Sequence, residues 1–595
     1  MRFKHLFCLP VLIIELALLT LLITGCGLNP VHTPRSSDQW SNGKLLGTAI
    51  LNNQVAMQVD EDGNSFLVWV GLEHELIFAR LDEYTEVSIQ QPLDLHSASA
   101  QKPQLLMDSS ERLHLTWLKS YSGKKELYYA QLDKQGQVTV SPVRLAGLEE
   151  KVGCSRAVFN QAMDRIEVFW SDNRPSNPGL YHLAFDLQGK IVTPSSLIVP
   201  EGLNPDARID RDGFLHLVWS QGTISRDRDI FYAVFDPTSC FLSEKTEVAS
   251  IIVAPGQVIH GPKMGLDKEN GYVFWAVESR ARESMVSHAF HITFPLGHLE
   301  RQVVGEVQAP DDDVPQFDPD EGKFNYYYTA PHVGGAGMSP LSVADTDFLA
   351  YPSMPDGQKD ELVVTFNGRV YARNTDSLQV IVMEFTEGQI VDYQIVNDSR
   401  AASLQPNVIA GSSGELYLTW IDTAGFNRYQ VIYASTSRQA KQTLNRITAY
   451  DVVDKVLSLV MHAFTAFFFV PIILSWMFLP TTCLIIFFLI TRENEISDPH
   501  GRGAVGLVML LQLGVKLFLF PDLLSRLQFD FLPFPSMGFL LGRWIFPGLL
   551  AVLSAGLTWA YLKCTRRKSI FVAYFIYTAV DSFLTLLAYV AFPMG

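Results

Sequence analysis

Through the middle of the chain, short runs of β-branched and aromatic residues alternate with turns rich in Asp, Gly and Asn. Asp60-Glu61-Asp62-Gly63 leads into Phe66-Leu67-Val68-Trp69, and Asp210-Arg211-Asp212-Gly213 into His216-Leu217-Val218-Trp219. Gly414 precedes Tyr417-Leu418-Thr419-Trp420 at the same offset, and Asp108 stands nine residues before Trp117, as Asp60 does before Trp69. Trp170 and Trp275 mark two less regular copies. A second apolar run follows in five of the six copies, at 75–82, 126–133, 179–186, 229–236 and 429–434. Such runs, bounded by turn residues, read as strands.

Neighbouring tryptophans from Trp69 to Trp275 are 48–56 residues apart. That period fits tandem four-stranded sheets arranged as propeller blades. Blades stack face to face and bury both sides of each sheet, which accounts for strands such as 215–219 that lack polar alternation. A proline five residues before the turn aspartate is a further marker: Pro103/Asp108, Pro205/Asp210, Pro262/Asp267 and Pro315/Asp320. Seven blades are predicted, with one around 361–385, and an eighth if the stretch 315–350 completes a sheet. The Gly-rich loop 332–338 lacks the spacing of a phosphate-binding loop and reads as an insertion.

The pattern changes after residue 450. No Asp, Glu, Lys or Arg occurs between Lys455 and Arg492, and further apolar stretches cover 503–522, 536–562 and 569–592. A bilayer crossing takes about 20 apolar residues. Four crossings put Lys563, Arg566, Arg567 and Lys568 on the cytoplasmic side, with the propeller outside. An α-helical transmembrane bundle of about four helices is therefore expected over 451–595, with 456–470 at the interface or extending the first helix, and a bend at Pro471. Charged residues inside such spans are costly and seek partners. Lys516 and Asp581 fall about 20 and 18 Å from the cytoplasmic end of their spans at 1.5 Å per residue, so they are expected to form an intramembrane ion pair. His462 and Arg543 are read as lying near the outer interface.

At the other end, Arg2, Lys4 and His5 precede an apolar run to Ile23, interrupted among charged residues only by Glu15. This is a signal peptide pattern. Its end, Ile23-Thr24-Gly25-Cys26, resembles the lipobox of bacterial lipoproteins, which implies lipidation of Cys26 after cleavage. The expected organisation is a signal peptide over 1–26, a linker over 27–44, a β-propeller ectodomain over 45–450 and the membrane domain over 451–595.

Composition sharpens the ectodomain. Residues 27–450 hold 34 Lys/Arg against 53 Asp/Glu, a net −19. Nucleic acid needs a positive surface and is excluded as a partner. Of six cysteines only Cys154 and Cys240 fall in the ectodomain; they sit at different points of different repeats, and a bridge between them is not favoured. No Cys/His metal spacing occurs. The Asp-x-Asp-Gly sequences are the residues of tight turns. The acidic run Asp311-Asp312-Asp313, with Asp318, Asp320 and Glu321, reads as a solvated loop rather than a calcium site. His114 and His216 occupy matching repeat positions and are read as packing residues.

The repeats resemble the β-propeller units of bacterial secreted proteins, including sialidase-like (Asp-box) propellers, over roughly residues 45–445. The chain departs from the Asp-box pattern in placing Trp six residues after Gly rather than an aromatic three after it. The catalytic set of that family is not found; Asn173-Arg174-Pro175 is the nearest fragment to its arginine motif and lies in a turn. No HExxH or GxSxG occurs, so no catalytic residue is assigned and no cofactor is expected. The leading expectation is a binding or scaffold module on the bacterial cytoplasmic membrane, its propeller on the extracytoplasmic side, with the bilayer and other envelope proteins or glycans as partners. A sialidase- or glycosidase-like enzyme and a transport-associated solute-capture protein are the alternatives.

Overall fold

The computed structural model describes residues 32–33, 35–307, 317–318, 323–324, 348–446, 470–519, 544–564 and 569–586, less a few short loops inside those ranges. The chain divides into a β unit over Pro30–Arg446 and a helical unit from Ile447 onward.

The β unit is a seven-bladed propeller. Blades I to VI are antiparallel sheets within 56–92, 100–146, 152–200, 202–252, 257–307 and 349–395. Blade VII takes three strands from 403–435 and its next strand, Gly43–Ala49, from the start of the chain, with Leu45 opposite Ile432. His32–Thr33 extends that sheet by pairing with Gly43 and Lys44. The later part of the stretch expected as a linker thus ties the first blade to the last, and Trp40 packs beside Trp420 in the blade VII core.

Among the described residues there is no eighth blade. Tyr272 and Phe274 of blade V share one apolar cluster with Val364, Phe366 and Phe385 of blade VI, so those two sheets pack directly against each other. Of the stretch that suggested an extra copy, the described residues form only the two-residue pair Phe317–Asp318 and Lys323–Phe324. Blade VI has a proline at the corresponding place in its first strand, Pro352, without an aspartate five residues on.

Trp69, Trp117, Trp170, Trp219, Trp275 and Trp420 all lie on the second strand of their blades and are at most 3 % exposed. Phe366 holds that place in blade VI. Four of these indoles stack on an aromatic residue of the third strand: Trp117 on Tyr128, Trp170 on Tyr181, Trp219 on Phe231 and Trp275 on Phe290, with centroids 5.6–5.8 Å apart. The turn aspartates fasten the first strand to the second. Asp60 Oδ1 accepts from the backbone N of Asp62 and Asn64, and Asp108 Oδ1 from Ser110 and Arg112. In blades II and IV a buried histidine continues the stitch. His114 joins Asp108 (3.1 Å) to Tyr129 (2.9 Å), and His216 joins Asp210 (2.9 Å) to Tyr232 (2.7 Å). Packing and hydrogen bonding thus employ both histidines fully.

After the short helix α1 (Arg438–Leu444), the helical unit contains α2 (Val470–Thr491), α3 (Pro499–Leu519), α4 (Phe546–Cys564) and α5 (Ile570–Leu586). Among the described residues, one segment, Pro499–Phe518, is long and apolar enough to cross a membrane, and Ser475–Thr491 and Ile570–Thr585 are shorter apolar helices. The unit buries a polar network beside an apolar cluster of Leu484, Val505, Val508 and Ile570, and exposes many large apolar side chains. Gln512, Lys516, Ser554, Thr558, Thr578, Asp581, Ser582 and Thr585 are buried, whereas Phe478, Ile490, Leu507, Phe518, Val552 and Phe575 are two-thirds exposed or more. The stretches 451–469 and 520–543, with His462 and Arg543, lie outside the described residues.

Candidate functional site

The seven innermost strands surround the propeller axis, and six of them carry a register shift at the same level: 101/104, 152/155, 203/206, 260/263, 350/353 and 404/407. A bulge leaves a residue unpaired, which is where proline, lacking an N–H, fits inside a sheet. Pro103, Pro205, Pro262, Pro352 and Pro406 occupy those places. The residue before each has a positive φ: Lys102 (48°), Asn204 (50°), Gly261 (110°), Tyr351 (56°) and Gln405 (53°). The proline repeat of the sequence is therefore a bulge repeat.

The bulge determines which residue comes next. Opposite the residue that precedes each second-strand Trp (or Phe366) stand Ala56, Gln104, Arg156, Asp206, Lys263, Ser353 and Asn407. Six of the seven are polar, and all except Asp206 line the cavity at the axis, about 80 Å³ in volume. Several lace one blade to the next. Asp206 Oδ2 accepts from the backbone N of Met264 (2.9 Å), Ser353 donates to Asn407 (3.2 Å), and Asn407 donates to the carbonyl of Val55 (2.8 Å).

Charge is concentrated on blades III to VI. Arg156 bridges Asp206 (3.3 Å) and Asp356 (2.6 Å), and Arg208, two residues beyond Asp206, pairs with the same two carboxylates (3.4 and 3.0 Å). Burial opposes ionisation of Asp206, but Arg208, Lys263 and Arg156 prevail and hold its carboxyl at about 2. Lys263 completes the cluster. Among the described residues its ammonium has neither a hydrogen bond nor an ion pair. Asp206 favours its charged form, yet burial and the guanidiniums of Arg156 and Arg208 outweigh that and lower its pKa. Three cations and two carboxylates leave a net +1 in the channel of a strongly acidic propeller. A half-buried cation without a partner is a poor resting state and a good receptor for an anion.

A second group lies on the Lys263 strand. His260 Nε2 is 2.6 Å from Glu278 Oε2, and its ring sits 4.2 Å from that of Tyr351, the bulge residue of blade VI. A carboxylate-paired imidazole next to a phenol offers a proton acceptor and a proton donor.

None of these channel residues was singled out from the sequence, although a signal exists. Each axial residue stands 12–14 positions before its Trp or Phe366, so counting back from the tryptophans reaches Arg156, Asp206 and Lys263. Arg174 of the arginine fragment does not join the cluster; it pairs with Asp172 in its own turn. Cys154 and Cys240 are free thiols. Cys26 lies outside the described residues, as do Asp311, Asp312 and Asp313. Glu493, Asp498 and His500 have ligand atoms within 4.8 Å of one another at an exposed turn.

In the helical unit Lys516 Nζ of α3 contacts Asp581 Oδ2 of α5 and donates to Thr585 Oγ1 (2.9 Å). Gln512 donates to the same carboxylate (2.7 Å) and accepts from Tyr574 (3.0 Å) and Thr578 (2.8 Å). Lys516 also lies 4.9 Å from the ring of Trp476 in α2. The pair is 2 % exposed or less and closes a polar network linking three helices.

No sequence family and no curated protein matches this chain. Solved structures do. A polysaccharide lyase described as an ulvan lyase aligns over 67 % of this chain and 98 % of its own at 9 % identity, with a TM-score of 0.42. The polysaccharide lyase Uly1 aligns over 66 % and 91 % at 11 % identity, TM-score 0.41. A mutant of the Aleuria aurantia lectin, solved in complex with Fucα1-6GlcNAc, aligns over 59 % and 97 % at 10 % identity, TM-score 0.32. At such identities the likeness concerns the propeller fold alone.

Proposed function

We propose that the chain is an extracytoplasmic binding module anchored in a bacterial cytoplasmic membrane, whose propeller takes the acidic group of an envelope glycan into its channel. The unpaired Lys263 ammonium, beside two guanidiniums already neutralised by Asp206 and Asp356, carries this reading. The cavity is far smaller than the roughly 300–1,000 Å³ of a site that engulfs a small molecule. It has room for one carboxylate, sulfate or phosphate, while the rest of a glycan rests on the propeller face. The polar amides of Gln104 and Asn407 and the hydroxyl of Ser353 add hydrogen-bonding groups around it.

The anchoring half of the proposal draws on the helical unit. Apolar side chains outside and a satisfied polar network inside suit hydrocarbon surroundings. Lys563 and the Arg566-Arg567-Lys568 run that follows it favour a cytoplasmic position for that turn. Lys516–Asp581 then locks α3 to α5. Cys26 is proposed as the lipid-bearing first residue of the mature chain, and an unmodified Cys26 in its mass spectrum excludes that part. Calorimetric titration of the detergent-solubilised chain with acidic and neutral oligosaccharides tests the binding half. An acidic ligand is expected to bind at least tenfold more weakly to Lys263→Met; equal affinities refute the site.

A second reading has one observation in its favour. His260, paired with Glu278 and tilted against the Tyr351 ring, lies on the same strand as Lys263, whose charge is able to neutralise a uronate, an arrangement suited to proton transfer on a glycan. Product formation from an acidic oligosaccharide, abolished in His260→Ala, supports enzymatic action; an intact substrate after prolonged incubation leaves binding as the function.

A further inference from the structure

The helical unit contains a cavity of about 490 Å³ between α3, α4 and α5, beside the turn that joins α2 to α3. Its charged lining is cationic, beside the hydroxyls of Ser497 and Thr558. Arg502 and Lys563 both border it, no carboxylate does, and neither cation forms an ion pair among the described residues. Arg502 donates to the carbonyl of Ser497 (3.1 Å), and the Lys563 ammonium stands 3.6 Å from the ring centroid of Trp559. Deeper in, the walls turn apolar at Val505, Met509, Ala555 and Leu562. Gly506 leaves its wall bare; a Cβ built there meets nothing within 4 Å.

We propose that this cavity binds an anionic phospholipid, its phosphate between Arg502 and Lys563 and an acyl chain along Val505, Gly506 and Met509. Two cations at the rim suit a phosphate, because guanidinium and ammonium donors form charge-assisted hydrogen bonds to its oxygens. Trp559 suits the boundary between headgroup and chain. A free phosphate ion would use the rim and leave the apolar walls wet, whereas a lipid covers both. Basic pockets between helices at the cytoplasmic surface are a recurrent form of lipid recognition. The inference rests on the membrane reading of the helical unit proposed above.

The experiment has two stages. Membranes holding the full chain are first washed with high salt and alkaline carbonate. Release without detergent overturns the membrane reading and this inference with it. Retained protein is then extracted in mild detergent, and its bound lipid is measured by native mass spectrometry and extraction. The wild type is expected to carry one anionic phospholipid in preference to zwitterionic ones. Arg502→Gln/Lys563→Gln should lose that lipid through its headgroup. Gly506→Leu should lose it by filling the chain groove while leaving both charges in place. Retention of the lipid by both variants, or no headgroup preference in the wild type, overturns the inference while the membrane reading stands. Displacement of the lipid by millimolar inorganic phosphate alone also overturns it, in favour of a free-phosphate site.

Discussion

Asp206→Asn isolates the charge at the centre of the channel. Asn keeps the shape and an oxygen for the backbone N of Met264, so packing changes little. It removes the negative charge 3.3 Å from Arg156 and 3.4 Å from Arg208, in a side chain 1 % exposed. The channel then carries +2 instead of +1. The carboxyl is held near 2 rather than 3.8, and each pKa unit corresponds to about 1.4 kcal/mol. The charge therefore stabilises the fold by about 2–3 kcal/mol, just below the roughly 3–5 kcal/mol that breaking a buried ion pair costs. Because the folded pKa is depressed, this contribution is present above about pH 4 and disappears as pH falls through 2. Urea unfolding of the solubilised chain can be followed by tryptophan fluorescence, since seven of the ten tryptophans precede residue 447. Asp206→Asn should lower stability by that amount at pH 7, and the difference from wild type should shrink toward pH 2. The same substitution should tighten binding of an acidic ligand several-fold, since it removes a competing anion. A loss under about 0.5 kcal/mol at pH 7, or weaker ligand binding, would refute the electrostatic account.

Trp219→Ala should cost about 3–5 kcal/mol, because a fully buried indole stacked on Phe231 is replaced by a void; an unchanged urea midpoint contradicts the blade assignment. Burial holds the His291 imidazole down at about 4 and also lowers His114 and His216. Depressed histidines favour the fold only while neutral, so propeller stability should be full above about pH 6.5 and fall as pH drops toward 4; a flat unfolding midpoint across that window opposes this. In the helical unit, Asp581→Ala alone should reduce folded yield more than Lys516→Met/Asp581→Leu together, because a lone buried charge is the costly state. A charge-swapped double variant should recover yield that each single swap loses, and equal losses in all three would exclude the pairing.

The blade repeat was legible because each second strand places its Trp at one fixed point of one fixed unit. Blade VI escaped part of that signal because Phe366 replaces the Trp, which let Pro315 and Asp320 suggest an additional copy. Ring closure was hidden for a different reason: Gly43–Ala49 lacks turn, Trp and proline markers, and its partner strand lies almost four hundred residues away. The proline spacing was visible, but its structural meaning depends on a bulge that only backbone pairing reveals. For the same reason nothing in the sequence alone set Arg156, Asp206 and Lys263 apart from other charges. A one-residue register change would turn them out of the channel. Lys516 and Asp581 could be compared from sequence because helical rise converts residue number into depth, whereas Gln512, Tyr574 and Thr585 carry no charge to draw notice.

The most direct test of the central claim is binding to right-side-out spheroplasts that display the full chain. The probes are fluorescent, membrane-impermeant uronate, sulfated and neutral oligosaccharides. At least one acidic probe should bind intact spheroplasts bearing the wild type, neutral probes should not, and Lys263→Met displayed at the same level should bind at least tenfold less. Binding that appears only after lysis, equal binding by Lys263→Met, or no acidic probe bound at all would contradict an exported propeller with an anion site in its channel.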